Sequence, residues 1–178
     1  MATIPGTRTW SVGEYFTATR ANTEIRDAED FLLNPPACHI HDSTGVVLSN
    51  ATATQLFWNS ESFDTDSMHD NATNTGRITF TTGGTYVVRI NLSIPAATYT
   101  VFLINWRLNS AGSSSGGTSL RSEAYDDHTM QTVGTWVWER AFTAGDYIET
   151  FVTQTSGANR QCDAFSLGTY AEARFVSI

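Results

Sequence analysis

Several residue groups in this 178-residue chain carry the types and spacings that chemistry requires. His39 and His41 are two apart, so on a strand both imidazoles face one side, as a zinc pair would. A zinc site needs further ligands at fixed spacing, and none follows, so no metal is expected. Asp64, Asp66 and Asp70 share one loop, and Asp126, Asp127 and His128 another. Calcium wants several oxygens from a shaped loop, but neither run has the glycine and distal glutamate of an EF-hand. Trp58, Trp106, Trp136 and Trp138 stack on sugars if exposed, and belong to a core or a subunit interface if they alternate on strands. No Gly-x-Ser-x-Gly elbow, Gly-Lys phosphate loop or zinc-protease helix occurs. The expectation is a non-enzyme without cofactors.

The elements that must position these residues are mostly strands. Hydrophobic residues make up 40% and charged residues 16%, with abundant Thr, Ser and Gly, which suits well-packed β structure. The net charge is −8 and every basic residue is arginine. An acidic surface without basic clusters argues against a nucleic-acid partner. No run is long enough to span a membrane. Met1 to Gly13 lacks a basic segment followed by an apolar one, so no secretory leader is expected. Cys38 and Cys162 are then expected as buried free thiols. The sequons at Asn50, Asn71 and Asn91 read as chance matches in a Thr-rich chain.

Residues 1 to 16 have no strand or helix period, yet they carry Trp10, Tyr15 and Phe16. So short an arm cannot bury three aromatics by itself. Aromatics with Arg8 are typical docking anchors. Thr17 reads as an N-cap opening a helix from about Ala18 to Leu33, with an apolar stripe of Ala21, Ile25, Ala28 and Leu32. Pro35-Pro36 ends it. Residues 1–37 form a docking arm and helix, and 38–178 a β domain.

Strands are expected over His39–Leu48 (with a turn near Ser43–Gly45), Gln55–Phe63, Tyr99–Leu108, Leu120–Tyr125, Val133–Phe142, Tyr147–Thr155 and Tyr170–Ile178. Asn109 to Thr118 reads as a flexible Gly/Ser loop. Thr75 to Leu92 reads as a hairpin turning at Gly83-Gly84. In it, Tyr86, Val88, Ile90 and Leu92 alternate with Val87, Arg89 and Asn91. Nine or ten short strands separated by turns make an all-β jelly-roll sandwich.

Two resemblances follow from the order of motifs. Phe63-Asp64, Thr75-Gly76, Phe80-Thr81, Gly84, Tyr86, Trp106-Arg107-Leu108-Asn109, Gly145-Asp146 and a closing segment from Ser166 to Ile178 resemble the trimeric jelly roll of the complement-q and tumour-necrosis-factor superfamily. That resemblance implies a homotrimer. Tyr86, Arg89, Trp106, Trp136 and Trp138 are the residues expected at its interface, Arg89 as a polar contact.

The order Thr9-Trp10, Gly13-Glu14, Thr17-Ala18, Asn22-Thr23, Ile25-Arg26-Asp27, Phe31-Leu32 and Pro35-Pro36 resembles the start of virion proteins of tailed bacteriophages, especially those of actinobacteria. It implies a phage structural protein. Arg8, Trp10, Tyr15, Phe16, Ile25 and Leu32 would dock on the particle, against the major capsid protein if the chain decorates the capsid. The alternative is a minor tail or receptor-binding protein that recognises host-surface glycans. The expected location is the particle surface, after assembly in the host cytoplasm.

Overall fold

The structure, a computed structural model, describes Ile4, Gly6 and residues 8–164 and 168–178; for residues 126–133 it describes the backbone alone. Ser166, in the closing segment, lies outside the described residues. Ten strands carry the fold: β1 (Ala37–His41), β2 (Val47–Leu48), β3 (Thr54–Gln55), β4 (Ser60–Asp64), β5 (Arg77–Thr79), β6 (Gly84–Leu108), β7 (Thr118–Phe142), β8 (Tyr147–Gln154), β9 (Arg160–Gln161) and β10 (Tyr170–Ser177).

The architecture follows from two 25-residue strands, β6 and β7, which pair antiparallel over almost their whole length. The N-terminal half of β6 pairs with β10, and its C-terminal half with β8. The ribbon therefore belongs to two sheets. One runs β4–β1–β10–β6–β7; the other brings β3 and β5 onto β8, then β6 and β7. The sheet curls over at Pro95, where the register shifts between Ile94 and Ala97. Proline lacks the ladder donor, so a bulge is where a strand tolerates it. Closing a sheet on itself in this way is the jelly-roll solution to burying one face of every strand.

Alternation along β6 sets the core. Tyr86, Val88, Ile90 and Leu92 from one half, and Phe102, Ile104 and Trp106 from the other, are all buried. Phe80 and Phe142 stack at 3.7 Å beneath Tyr86. Trp106 packs on Trp136 and Trp138, with ring centres 5.5 and 5.0 Å apart.

Several expected elements are corrected. Thr75–Leu92 is not a hairpin: β5 pairs with β8, and the chain then crosses to the other sheet at Gly84. Gly84 sits at φ 154°, and a Cβ there would strike the Phe175 ring. Local alternation reports which face a residue takes but not which strand it pairs with. Gln55–Phe63 divides into β3 and β4, which lie in opposite sheets. Leu120–Tyr125 and Val133–Phe142 are parts of one strand.

The Gly/Ser loop is tied down. Arg107 Nε donates to Gly116 O at 2.7 Å and its Nη2 to Ser115 O at 2.9 Å. Ser110 Oγ and Gly112 N both donate to the buried Glu149. Arg77 and Gln55 donate to the same carboxylate at 3.0 Å each. Burial alone would raise the Glu149 pKa, but the bonds from Ser110, Gly112 and Arg77 hold it below the ordinary range.

The helical segment spans α1 (Ala18–Ala21), a π turn over Asn22–Arg26 and α2 (Asp27–Leu33). Thr17 is its N-cap, accepting from Arg20 N at 3.3 Å. The expected stripe is not buried: Ile25 and Leu32 are exposed. The π turn adds a residue to one turn and so rotates the stripe out of line. Phe31 makes the contact instead, edge-on to Phe175 of β10 at 5.2 Å.

Candidate functional site: an exposed aromatic module and an outer sheet face

No described residues form a grouping of three or more His, Cys, Asp or Glu side chains that would hold a metal. Instead, the loop carboxylates hold their own turns. Asp64 accepts from the backbone N–H groups of Asp66 and His69, and Asp70 from those of Ala72 and Thr73. The last two hold the Asp70 carboxyl below the usual range. Asp66 accepts from Thr81 Oγ1 at 2.5 Å. The side chains of Asp126, Asp127 and His128 lie outside the described residues. Cys38 and Cys162 are free and buried. Desolvation pushes the Cys162 thiol up to about 12 and Cys38 higher still, so neither is a nucleophile at neutral pH. No helix is long and apolar enough to cross a membrane, among the described residues.

Two surfaces remain that the sandwich does not complete. The first is the N-terminal module, residues 8–33. Arg8 pairs with both Glu14 and Glu24, and Arg20 pairs with Glu14 at 2.8 Å. The Arg8 guanidinium also lies 5.0 Å from the Trp10 ring centre, and Trp10 contacts Phe16 at 5.6 Å. Arg8, Trp10, Glu14, Phe16 and Glu24, with Gly6 and Ile25, line a cleft of about 380 Å³. One guanidinium thus fastens the arm to the helical segment. The apolar side chains stay outside: Trp10 is 45% exposed and Tyr15 86%, and Val12, Phe16, Ile25, Leu32 and Leu33 are also exposed. Arg8, Trp10, Phe16 and Ile25 are therefore brought together, Tyr15 stands free beside them, and Leu32 lies at the C-terminal end of α2. Val12 and Leu33 belong to the same exposed set, and nothing in their spacing marked them.

The second is the outer face of the β4–β1–β10–β6–β7 sheet. The register places Phe63, His39, Glu172, Arg89 and Val137 in one row across five strands. Arg174, Val87 and Glu139 form the next row. His39 stacks on Tyr170 at 4.8 Å, and Arg174 lies over Phe63 and pairs with Glu172. Burial lowers the His39 pKa, against the opposing pull of Glu172. Arg89 is exposed.

Of the five residues expected at a subunit interface, only Arg89 is on this face. Tyr86, Trp106 and Trp136 point inward and are buried, and Trp138 packs partly buried against them. Trp136 Nε1 donates to Glu123 Oε2 at 2.5 Å, bridging the two sheets inside the protomer. The physical reason is parity: Tyr86 is three residues from Arg89 on β6, and Trp136 and Trp138 flank Val137, the register partner of Arg89 on β7, so these aromatics face away from it. Trp58 is core as well.

The fold defines a jelly roll of the tumour-necrosis-factor and complement-q type. The Eiger tumour necrosis factor of S. frugiperda superposes with a TM-score of 0.55 at 16% identity, covering 80% of this chain and 94% of that one. The globular domain of zebrafish complement 1qA gives 0.54 at 13%, covering 79% and 97%. Murine APRIL gives 0.57 at 10%, covering 79% and 98%. No protein-family model matches the sequence, and no curated protein does. At these identities the likeness is one of fold.

Proposed function

We propose that the chain is a non-enzymatic structural protein of a tailed-phage particle, a homotrimeric capsid decoration protein anchored by its N-terminal module. The carrying observation is the module's exposed apolar set, Trp10, Val12, Tyr15, Phe16, Ile25, Leu32 and Leu33. An ion-paired arm presenting that much apolar surface suits a partner that covers it. The order of residues along the module, which resembles the start of phage virion proteins, supports a particle as that partner.

The trimer would form through the outer sheet face, where Val87, Arg89 and Val137 combine apolar area with a charge that a neighbouring copy can meet. Three modules per trimer would bind by avidity and clamp adjoining shell subunits. A particle without the protein should accept it back and gain resistance to heat. Labelled antibody on whole particles should mark the head. Labelling confined to the tail would overturn the decoration role and favour the tail-protein alternative.

A further inference from the structure

The β domain carries a second cleft, of about 370 Å³, lined by Asp42, Thr44, Val46, Val47, Thr54, Phe57, Trp58, Asn59 and Thr75. We propose that it is a carbohydrate-binding site that takes one neutral pyranose unit, stacked on Phe57. The inference is independent of the docking role of the module.

The cleft's chemistry selects the ligand class. Its rim holds the exposed Val47 and Phe57, which at 48% exposed is the one aromatic of the β domain in the exposed class among the described residues. An exposed ring beside a concave polar wall is the surface on which the C–H face of a sugar packs. The wall offers the hydroxyl of Thr75, the remaining lone pairs of the Thr44 and Thr54 hydroxyls and the amide of Asn59. No arginine or histidine lines it, so a phosphate or sulfate finds no counter-charge. The one acid, Asp42, is 2% exposed, so its charge lies beneath the surface and gives a cation little to meet. A neutral polyol is what remains.

Asp42 also makes the wall rigid. Its Oδ1 accepts from Thr44 N at 2.9 Å and Thr44 Oγ1 at 2.8 Å. Asn59 Nδ2 donates to Thr44 Oγ1 at 3.3 Å, and Asn59 Oδ1 accepts from Ser43 N at 2.8 Å and Ser43 Oγ at 2.9 Å. Trp58 N donates to Thr75 O at 2.9 Å, fixing the far wall. This arc is set before a ligand arrives, which lowers the ordering cost of binding. A second proton on Asn59 Nδ2 is left for a ligand oxygen. Asp42 Oδ2 is buried without a protein partner. It acts in positioning Thr44 and Asn59.

The placement suits display. β1 runs from the module junction at Ala37 to His41, immediately before Asp42. Five steps of about 3.3 Å from Ala37 to Asp42 separate the junction from the cleft by roughly 16 Å. The cleft thus opens at the end of β1 opposite the module, and a trimer would present three.

Saturation-transfer NMR on the intact chain tests the site with methyl glycosides of glucose, galactose, mannose, N-acetylglucosamine and rhamnose, each at millimolar concentration, and n-butylammonium as the cationic probe. Transfer to at least one glycoside is expected, reduced at least tenfold in Phe57→Ala and retained in Phe57→Trp. Phe57 is half-exposed, so the folded state should persist, and a thermal melt checks it. Trp10→Ala should leave transfer unchanged. No transfer to any glycoside, equal transfer in Phe57→Ala, or transfer to n-butylammonium alone would overturn the proposal.

Discussion

The N-terminal module and the sandwich treat the same kind of side chain in opposite ways. In the sandwich, Tyr86, Phe102 and Trp106 sit on alternate positions of β6 and are buried completely. In the module, Trp10, Tyr15 and Phe16 are held at the surface by a frame of ion pairs around Arg8. A strand pair can close over an aromatic row because the opposite sheet supplies the other wall. An arm of some ten residues with one interrupted helix has no second layer. The contrast teaches that the sandwich buries its aromatic rows within the protomer, whereas the module leaves its aromatics exposed.

The contrast breaks most sharply under truncation of one aromatic from each region. Trp106→Ala should destabilise the chain by about 3–5 kcal/mol, through lost burial and the cavity left among Trp136 and Trp138. Trp10→Ala should change stability by less than about 0.5 kcal/mol, while weakening the proposed attachment to a particle. Urea unfolding of both variants separates the two, and equal losses would erase the distinction.

Acid should weaken the sandwich through Glu149. The Glu149 pKa is lowered in the folded state, so its contribution is complete above the unfolded value near 4.5 and is lost as pH falls below it. Replacing it by Gln leaves Arg77 without its counter-charge and should cost about 1.5–3 kcal/mol at pH 7. That variant should also lose most of the wild-type loss in stability between pH 5 and 3. Denaturation midpoints across that range measure it; a parallel decline in both proteins would mean that other carboxylates dominate.

On the outer face, Arg89→Glu places a second acid beside Glu172 and should weaken self-association about tenfold, with the protomer's melting temperature scarcely altered. Sedimentation velocity over a dilution series reads this directly. The smallest effect belongs to the thiols. Cys38 and Cys162 should resist a thiol reagent in the native protein and react once urea unfolds it, because burial keeps both protonated.

The sequence made the class of fold legible because period-2 alternation over residues 84–92 and 102–108 is a direct imprint of a two-layer core. It did not reveal the connections. Thr79, Phe80 and Gly84 look like a hairpin because Gly-Gly permits one, yet β5 pairs with β8 almost seventy residues away. Pairing is decided by long-range packing, which local propensity does not encode.

The exposed aromatics of the module were legible as a group because Trp10, Tyr15 and Phe16 lack any periodic partner. The interface aromatics were misplaced because a row of tryptophans signals burial without saying against what. The cleft beside Phe57 was not legible at all. Asp42, Thr44, Asn59 and Thr75 come from separate turns, and only the folded chain assembles them.

The most direct test of the division between a face that meets copies of itself and a module that meets another protein is the mass of the intact chain in solution. Sedimentation equilibrium at micromolar concentration should give three copies of the 19.5 kDa chain, about 58 kDa, and the same stoichiometry for a Trp10→Ala, Phe16→Ala variant. A monomer, or a trimer that depends on Trp10 and Phe16, would contradict the account.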